Sequence, residues 1–114
     1  MYEYLPKTIQ RNGRYIEMWI KELPQNNVQK FRKAQIDLAK KSKWNLTGFD
    51  KLDHIKSKFE CNCRNKTYRI VESIYYDVNG EVIKDYNMPY VEWSNVVPES
   101  VGQQLYEFAC NFKF

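Results

Sequence analysis

The sequence predicts an α+β fold, an antiparallel sheet with a C-terminal helix packed on it, and three stretches carry that prediction. Tyr68 to Tyr76 alternates with the two-residue period of a strand and runs into Asp77-Val78-Asn79-Gly80, after which Glu81-Val82-Ile83-Lys84 resumes the extended pattern. Tyr15 to Leu23 alternates as well, with Ile16, Met18 and Ile20 on one face and Tyr15, Glu17, Trp19 and Lys21 on the other. Finally, Val101, Leu105, Phe108 and Phe112 recur at helical spacing behind Pro98-Glu99-Ser100. Proline suits a first helical turn, and Glu99 would complement the helix dipole there.

In chain order, Tyr2 to Leu5 reads as a short strand, broken by Pro6, which lacks the donor that a central ladder needs. Thr8 to Arg14 carries a turn at Asn12-Gly13, and Tyr15 to Leu23 follows as a strand. Pro24-Gln25-Asn26-Asn27 ends it and starts a helix, with Asn26 or Asn27 as its cap. Val28, Phe31, Gln35 and Leu38, with Ala34 and Ile36 beside them, form a stripe through about Ser42. Trp44 to Asp53 reads as irregular, with Gly48 as its breaker, and Ile55 to Cys63 enters the sheet. In the Tyr68 to Tyr76 strand, strict alternation sets Tyr68, Ile70, Ile74 and Tyr76 against Arg69, Val71, Ser73 and Tyr75. Neither face is cleanly polar, so one side is expected to be covered and the other partly so. Tyr86 to Pro89 reads as a loop and Tyr90 to Val97 as a last strand around Trp93.

Three cysteines sit in this frame. Cys61 and Cys63 are two apart, so on a strand their side chains share a face with Phe59. A bridge from either of them to Cys110 would tie the C-terminal helix to the sheet and stabilise the fold by roughly 2–4 kcal/mol. Geometry leaves the choice between the two open. On an ideal helix Cys110 lies nearly opposite the apolar stripe, so a bridge predicts that the helix unwinds or ends near Ala109. The alternative is three buried, reduced thiols. A C-x-C pair with one further Cys and the single His54 has no recognised zinc spacing, so no metal is expected, and no cofactor motif is present.

The totals set further bounds. The chain of 114 residues is long enough for one domain with a real core, and its 43% hydrophobic and 16% aromatic content, with nine Tyr, argues for a folded, β-rich chain. No apolar run approaches the ~20 residues that span a bilayer. Because Met1 to Leu5 already reads as part of a strand, the expectation is a mature chain from which a targeting segment has been removed. The net charge of +4 is concentrated in Lys30, Arg32, Lys33, Lys40, Lys41 and Lys43, opposed by Asp37 alone. Such a face can bind phosphate, a heparin-like polymer or an acidic membrane surface, while the blander account is a solvated helix face. Nothing interleaves aromatics with that charge in a nucleic-acid-binding pattern, so no nucleic-acid partner is expected. Two N-x-T triplets, Asn45-Leu46-Thr47 and Asn65-Lys66-Thr67, matter only in a secreted eukaryotic chain.

The chain resembles the surface-adhesin protein E family of Gram-negative bacteria. Tyr15-Ile16-Glu17-Met18-Trp19-Ile20 after a Gly-containing turn, and Cys63 with Asn65, Tyr68 and Arg69, carry the resemblance. So do Tyr75-Tyr76-Asp77 leading to Gly80-Glu81-Val82, Trp93 ahead of Val97-Pro98-Glu99-Ser100-Val101-Gly102, and the terminal Cys110. Together they cover roughly Tyr2 to Cys110, apart from Lys30 to Asp53, and residues 28–53 read as a helical insertion between strands. The resemblance implies one domain over residues 1–114, a sheet of about six antiparallel strands, and a C-terminal helix held by a Cys63–Cys110 disulfide. Cys61 is then an unpaired extra, able to form intermolecular bridges. It also implies export to the periplasm or outer-membrane surface, often as a lipoprotein, so that any membrane contact is through a lipid anchor. In the namesake the activity is adhesion to host matrix proteins.

The function expected on these grounds is an exported binding module whose partner is a host matrix or envelope protein, engaged through the sheet face or the Lys30–Lys43 helix; a homodimer is compatible with it. The alternative is a structural envelope or assembly protein that acts by self-association. An enzyme is not expected, since the sequence has no Ser-His-Asp order, paired-carboxylate motif or phosphate loop, and His54 stands alone.

Overall fold

Ile16, Met18 and Ile20 all lie at 5% exposure or less, and the strand that carries them sits inside a six-stranded antiparallel sheet. The computed structural model describes residues 2–88 and 90–114; Met1 and Pro89, and with them the first residue of the expected opening strand and the last of the 86–89 loop, lie outside the described residues. The strands are β1 (Tyr2–Asn12), β2 (Tyr15–Glu22), β3 (Leu52–Asn62), β4 (Thr67–Asp77), β5 (Val82–Asn87) and β6 (Ser94–Asn95), with helices α1 (Val28–Lys41) and α2 (Val101–Cys110). Strands β1 to β5 are neighbours in chain order, and β6 pairs with β4.

Strand β1 does not stop at Pro6 as expected. It lies at the sheet edge, and its ladder breaks between Leu5 and Gln10, where the chain loops out around the proline that cannot donate. The Thr8 hydroxyl fills the gap: Oγ1 accepts from the Trp19 amide at 2.9 Å and donates to the Leu5 carbonyl at 2.6 Å. A second bulge changes the reading of β4. Lys58 pairs with Glu72 but Phe59 pairs with Ile70, so Val71 is an extra residue and the alternation slips there. Tyr68 and Ile70 therefore share a face with Ser73 and Tyr75, while Arg69, Glu72, Ile74 and Tyr76 share the other. The expected grouping of Tyr68 and Ile70 with Ile74 and Tyr76 is corrected accordingly.

The hairpin between β4 and β5 is present, but its turn is wider than an Asn-Gly pair alone. Asp77 Oδ1 accepts from the amides of Asn79 and Glu81, the Asp77 amide bonds the Glu81 carbonyl, and Gly80 takes the positive φ of 80°. Strand β5 continues to Asn87, into the stretch expected as loop. The expected strand over Tyr90 to Val97 shrinks to the two residues of β6, which pair with Thr67 and Tyr68. The irregular stretch from Trp44 closes in a single 3-10 turn at Phe49–Lys51, and β3 starts directly after it at Leu52.

Both helices cover one face of the sheet. Under α2 the core consists of Ile16, Met18, Ile20, Phe59, Cys61, Leu105 and Ala109; under α1 it is Ala39, Phe49, Leu52, Ile55 and Tyr75. Helix α1 is capped by Asn27, whose Oδ1 accepts from the Lys30 amide at 3.0 Å. Its inward side is Arg32, Gln35, Ile36 and Ala39, with Phe31 beside it, while Val28 and Leu38 of the expected stripe are exposed. Helix α2 begins at Val101 rather than at Pro98, with Ser100 as the cap that accepts from the Gln103 amide at 3.1 Å. Glu99 lies ahead of the helix at φ +61°, not in its first turn, and its amide donates to the Gln103 side chain. The buried line of α2 is Gly102, Leu105 and Ala109, about a residue off the expected stripe, and Val101 is exposed. That rotation brings Cys110 toward the sheet, and the helix ends at Cys110, beside Ala109, as the bridge requires.

Candidate functional site

The six basic residues singled out in the sequence do not form one surface. Arg32 turns inward and its Nε donates to the Leu52 carbonyl at 2.9 Å, which ties α1 to the start of β3. Lys30, Lys33, Lys40, Lys41 and Lys43 are exposed, and none of them enters an ion pair among the described residues. Lys40 and Lys41 occupy the last turn of α1, where the helix dipole favours positive charge. Lys43 follows the Ser42 cap with a left-handed backbone at φ 59°.

The uncovered face of the sheet differs in its electrostatics. Its charges are interleaved and compensated: Lys58 Nζ lies 3.1 Å from Glu17 Oε2, and Arg69 Nε lies 2.8 Å from Glu60 Oε1. Gln10 also donates to Glu17, which is buried at 6% exposure. The Arg69 guanidinium stacks over Trp93 at 4.3 Å and over Tyr15 at 6.0 Å, so the segment after β5 is pinned across the β4 edge. Arg69 also donates to the Val91 carbonyl. Like charges meet at Glu72 and Asp85: the hydrogen bond to Asp85, then burial and Asp85's charge, hold the Glu72 carboxyl above its usual range, with Lys58 opposing. His54 stacks on Tyr76 at 4.8 Å and pairs with Asp53 at 2.7 Å. Ser57 and Ser73 lie on the opposite, helix-bearing face, where their hydroxyls bond each other at 2.9 Å.

On the helix-bearing face, a groove of about 390 Å³ opens between α1 and the segment that runs from β5 to β6. Its floor is Ile70, Ser73, Tyr75 and Tyr86, and its walls include Leu38, Trp44, Met88 and Val91. Trp44 packs edge-on against Tyr75 at 5.7 Å and tilted against Tyr86 at 4.9 Å, with Lys84 Nζ 5.3 Å over its ring. Ser42 also lines the groove, which places it beside the lysine-bearing end of α1. The charged residues of its own lining are Arg69 and Glu92, and apolar aromatic walls with a polar rim are the anatomy of protein interfaces in general. Sequence reasoning missed this groove because Trp44 stands in an irregular stretch and Tyr86 in an expected loop. The register pair Ser73–Tyr86 is what brings them together.

The sulfur atoms form a third feature. Cys63 and Cys110 are joined by a disulfide across a sequence separation of 47 residues. Cys61 is a free thiol, fully buried, with its Sγ 3.5 Å from that of Cys110 and 4.0 Å from that of Cys63. Burial pushes the Cys61 thiol up to about 11. The Tyr106 hydroxyl donates to the Cys63 carbonyl at 2.8 Å and fixes the turn next to the bridge.

The family model of surface-adhesin protein E matches residues 1–111. No curated protein and no solved structure matches the chain.

Proposed function

The chain belongs to the surface-adhesin protein E family, and from that premise we propose that it is an exported, non-catalytic binding protein that takes an acidic segment of a protein partner into the Trp44 groove. The family supports an adhesin-type role and a surface location. The finer reading, a host matrix or envelope protein as partner, rests on one observation: the apolar groove lies beside the end of α1, where Lys40, Lys41 and Lys43 carry uncompensated positive charge. The groove supplies desolvated aromatic contact and the lysines steer an acidic segment toward it. The open sheet face is less suited to steering, because its charges already satisfy one another.

Surface-immobilised matrix proteins, with heparin as a polyanion control, test the reading across a salt series. Binding that weakens as salt rises, and that falls at least about tenfold in Trp44→Ala and several-fold in the Lys41→Glu/Lys43→Glu double variant, is the expected result. Absence of binding at low salt to every matrix protein tried would overturn it. Concentration-dependent sedimentation of the isolated protein would favour self-association in an envelope assembly instead.

A further inference from the structure

The family reading uses only the bridge between Cys63 and Cys110 and leaves the buried thiol of Cys61 without a role. That thiol sits in contact with an intact disulfide and nearer to Cys110 than to Cys63. Two environments then meet at one bridge. Cys61 is enclosed by the core under α2, at 0% exposure. Cys63 is half-buried and lines a separate cleft of about 560 Å³, together with Arg11, Arg14 and Arg64 and no carboxylate.

We propose that Cys61, Cys63 and Cys110 form a thiol–disulfide exchange site, which exposes Cys63 as a free thiol in the arginine-lined cleft and takes a small anionic disulfide there. In the first step the Cys61 sulfur, having released its proton, donates an electron pair to Cys110 Sγ. The Cys63–Cys110 bond breaks, and Cys63 leaves with the bonding pair as a thiolate. One disulfide and one thiol are present before and after, so no oxidant or reductant is consumed. In the second step the Cys63 thiolate attacks one sulfur of the incoming disulfide, forms a mixed disulfide and expels the other half as a thiolate.

Three physical arguments support the exchange. A Cys61–Cys110 bond would close a loop of 49 residues in place of 47, so chain entropy does not decide between the pairings. The free thiol moves from an apolar enclosure to a cleft lined by Arg11, Arg14 and Arg64, whose positive charge favours a thiolate. The same charges attract an anionic disulfide in preference to a neutral one. The high ionisation range of Cys61 makes the attack slow near neutrality, on the scale of minutes to hours.

The first test is Cys63→Ser, folded in air. The expected result is no free thiol and a Cys61–Cys110 linked peptide; two free thiols in a folded chain would overturn the proposal. Should that variant fail to fold, the native chain decides. It is incubated with dianionic dithiobis-nitrobenzoate or with neutral dithiodipyridine, acid-quenched and peptide-mapped. The expected label is on Cys63 with Cys61 joined to Cys110. The dianionic reagent should react several-fold faster than the neutral one, an advantage lost in Arg14→Gln and Arg64→Gln. Label on Cys61 with Cys63–Cys110 intact, or no label after overnight incubation under native conditions, would overturn it.

Discussion

Helix α2 meets the sheet through its smallest residues. Gly102 lies against the Tyr68 ring and Ala109 is fully buried, so the backbone comes close and Leu105 is enclosed beside Met18 and Phe59. A disulfide and the Tyr106 hydroxyl bond then fasten its end to the turn after β3. Helix α1 fully buries Ala39 alone; Phe31 and Ile36 are only partly covered, and the rest of its hold comes from Phe49 and Trp44 in the connection that follows and from the Arg32 bond to Leu52. One helix is a structural clamp. The other is anchored along a narrow line and leaves its lysines and one wall of a groove in solvent. Function is expected where the fold spends least on packing, which here is the α1 side.

The largest way to break that contrast is Cys110→Ser. Opening a loop of 47 residues relaxes the unfolded chain, and the expected cost is about 2–4 kcal/mol by urea unfolding without reductant. The α1 end, which has no covalent tie among the described residues, should show no comparable dependence on reductant. A loss below ~1 kcal/mol would mean that α2 is held by packing alone and that the clamp is not covalent in effect.

Gly102→Ala sharpens the contrast at a smaller scale. Alanine is the better helix former by about 1 kcal/mol. A Cβ at this position, however, would sit 2.9 Å from two carbons of the Tyr68 ring, which is itself stacked on Phe59 at 5.6 Å. Overpacking of that kind costs roughly 1–3 kcal/mol, so a net loss of up to about 2 kcal/mol in thermal or urea unfolding is expected. A stabilised variant would show that Tyr68 swings aside freely and that the close approach is not required.

Where sequence reading succeeded and failed has the same physical logic. The β2 face and the Asn27 cap are local matters of period and capping, and the structure has them as read. The bulge at Val71 was not legible, because an extra residue on one strand is defined by the register of its neighbour. Pro6 interrupts the ladder as read but does not end the strand, because the Thr8 side chain bridges the gap, which nothing in the sequence announces. The orientation of α2 was off by a residue because Phe108 and Phe112 outweigh Gly102 and Ala109 on any hydrophobicity count, whereas close packing selects the small pair. The groove was illegible for the same reason as the bulge, since Trp44, Tyr75 and Tyr86 meet only through strand pairing and a loop.

The smallest effect separates structure from binding within α1 itself. Arg32 and Lys33 are adjacent, and replacing either with Met removes one positive charge from the same helix. Arg32→Met also removes the hydrogen bond to the Leu52 carbonyl, made in a partly buried setting, and should cost about 1 kcal/mol of stability. Lys33→Met changes an exposed position and should stay within about 0.5 kcal/mol. The partner assay should order them the other way, with Lys33→Met reducing the salt-sensitive part of binding more than Arg32→Met, whose guanidinium is engaged with the fold. Equal stability losses would place both side chains in solvent and return Arg32 to the basic face.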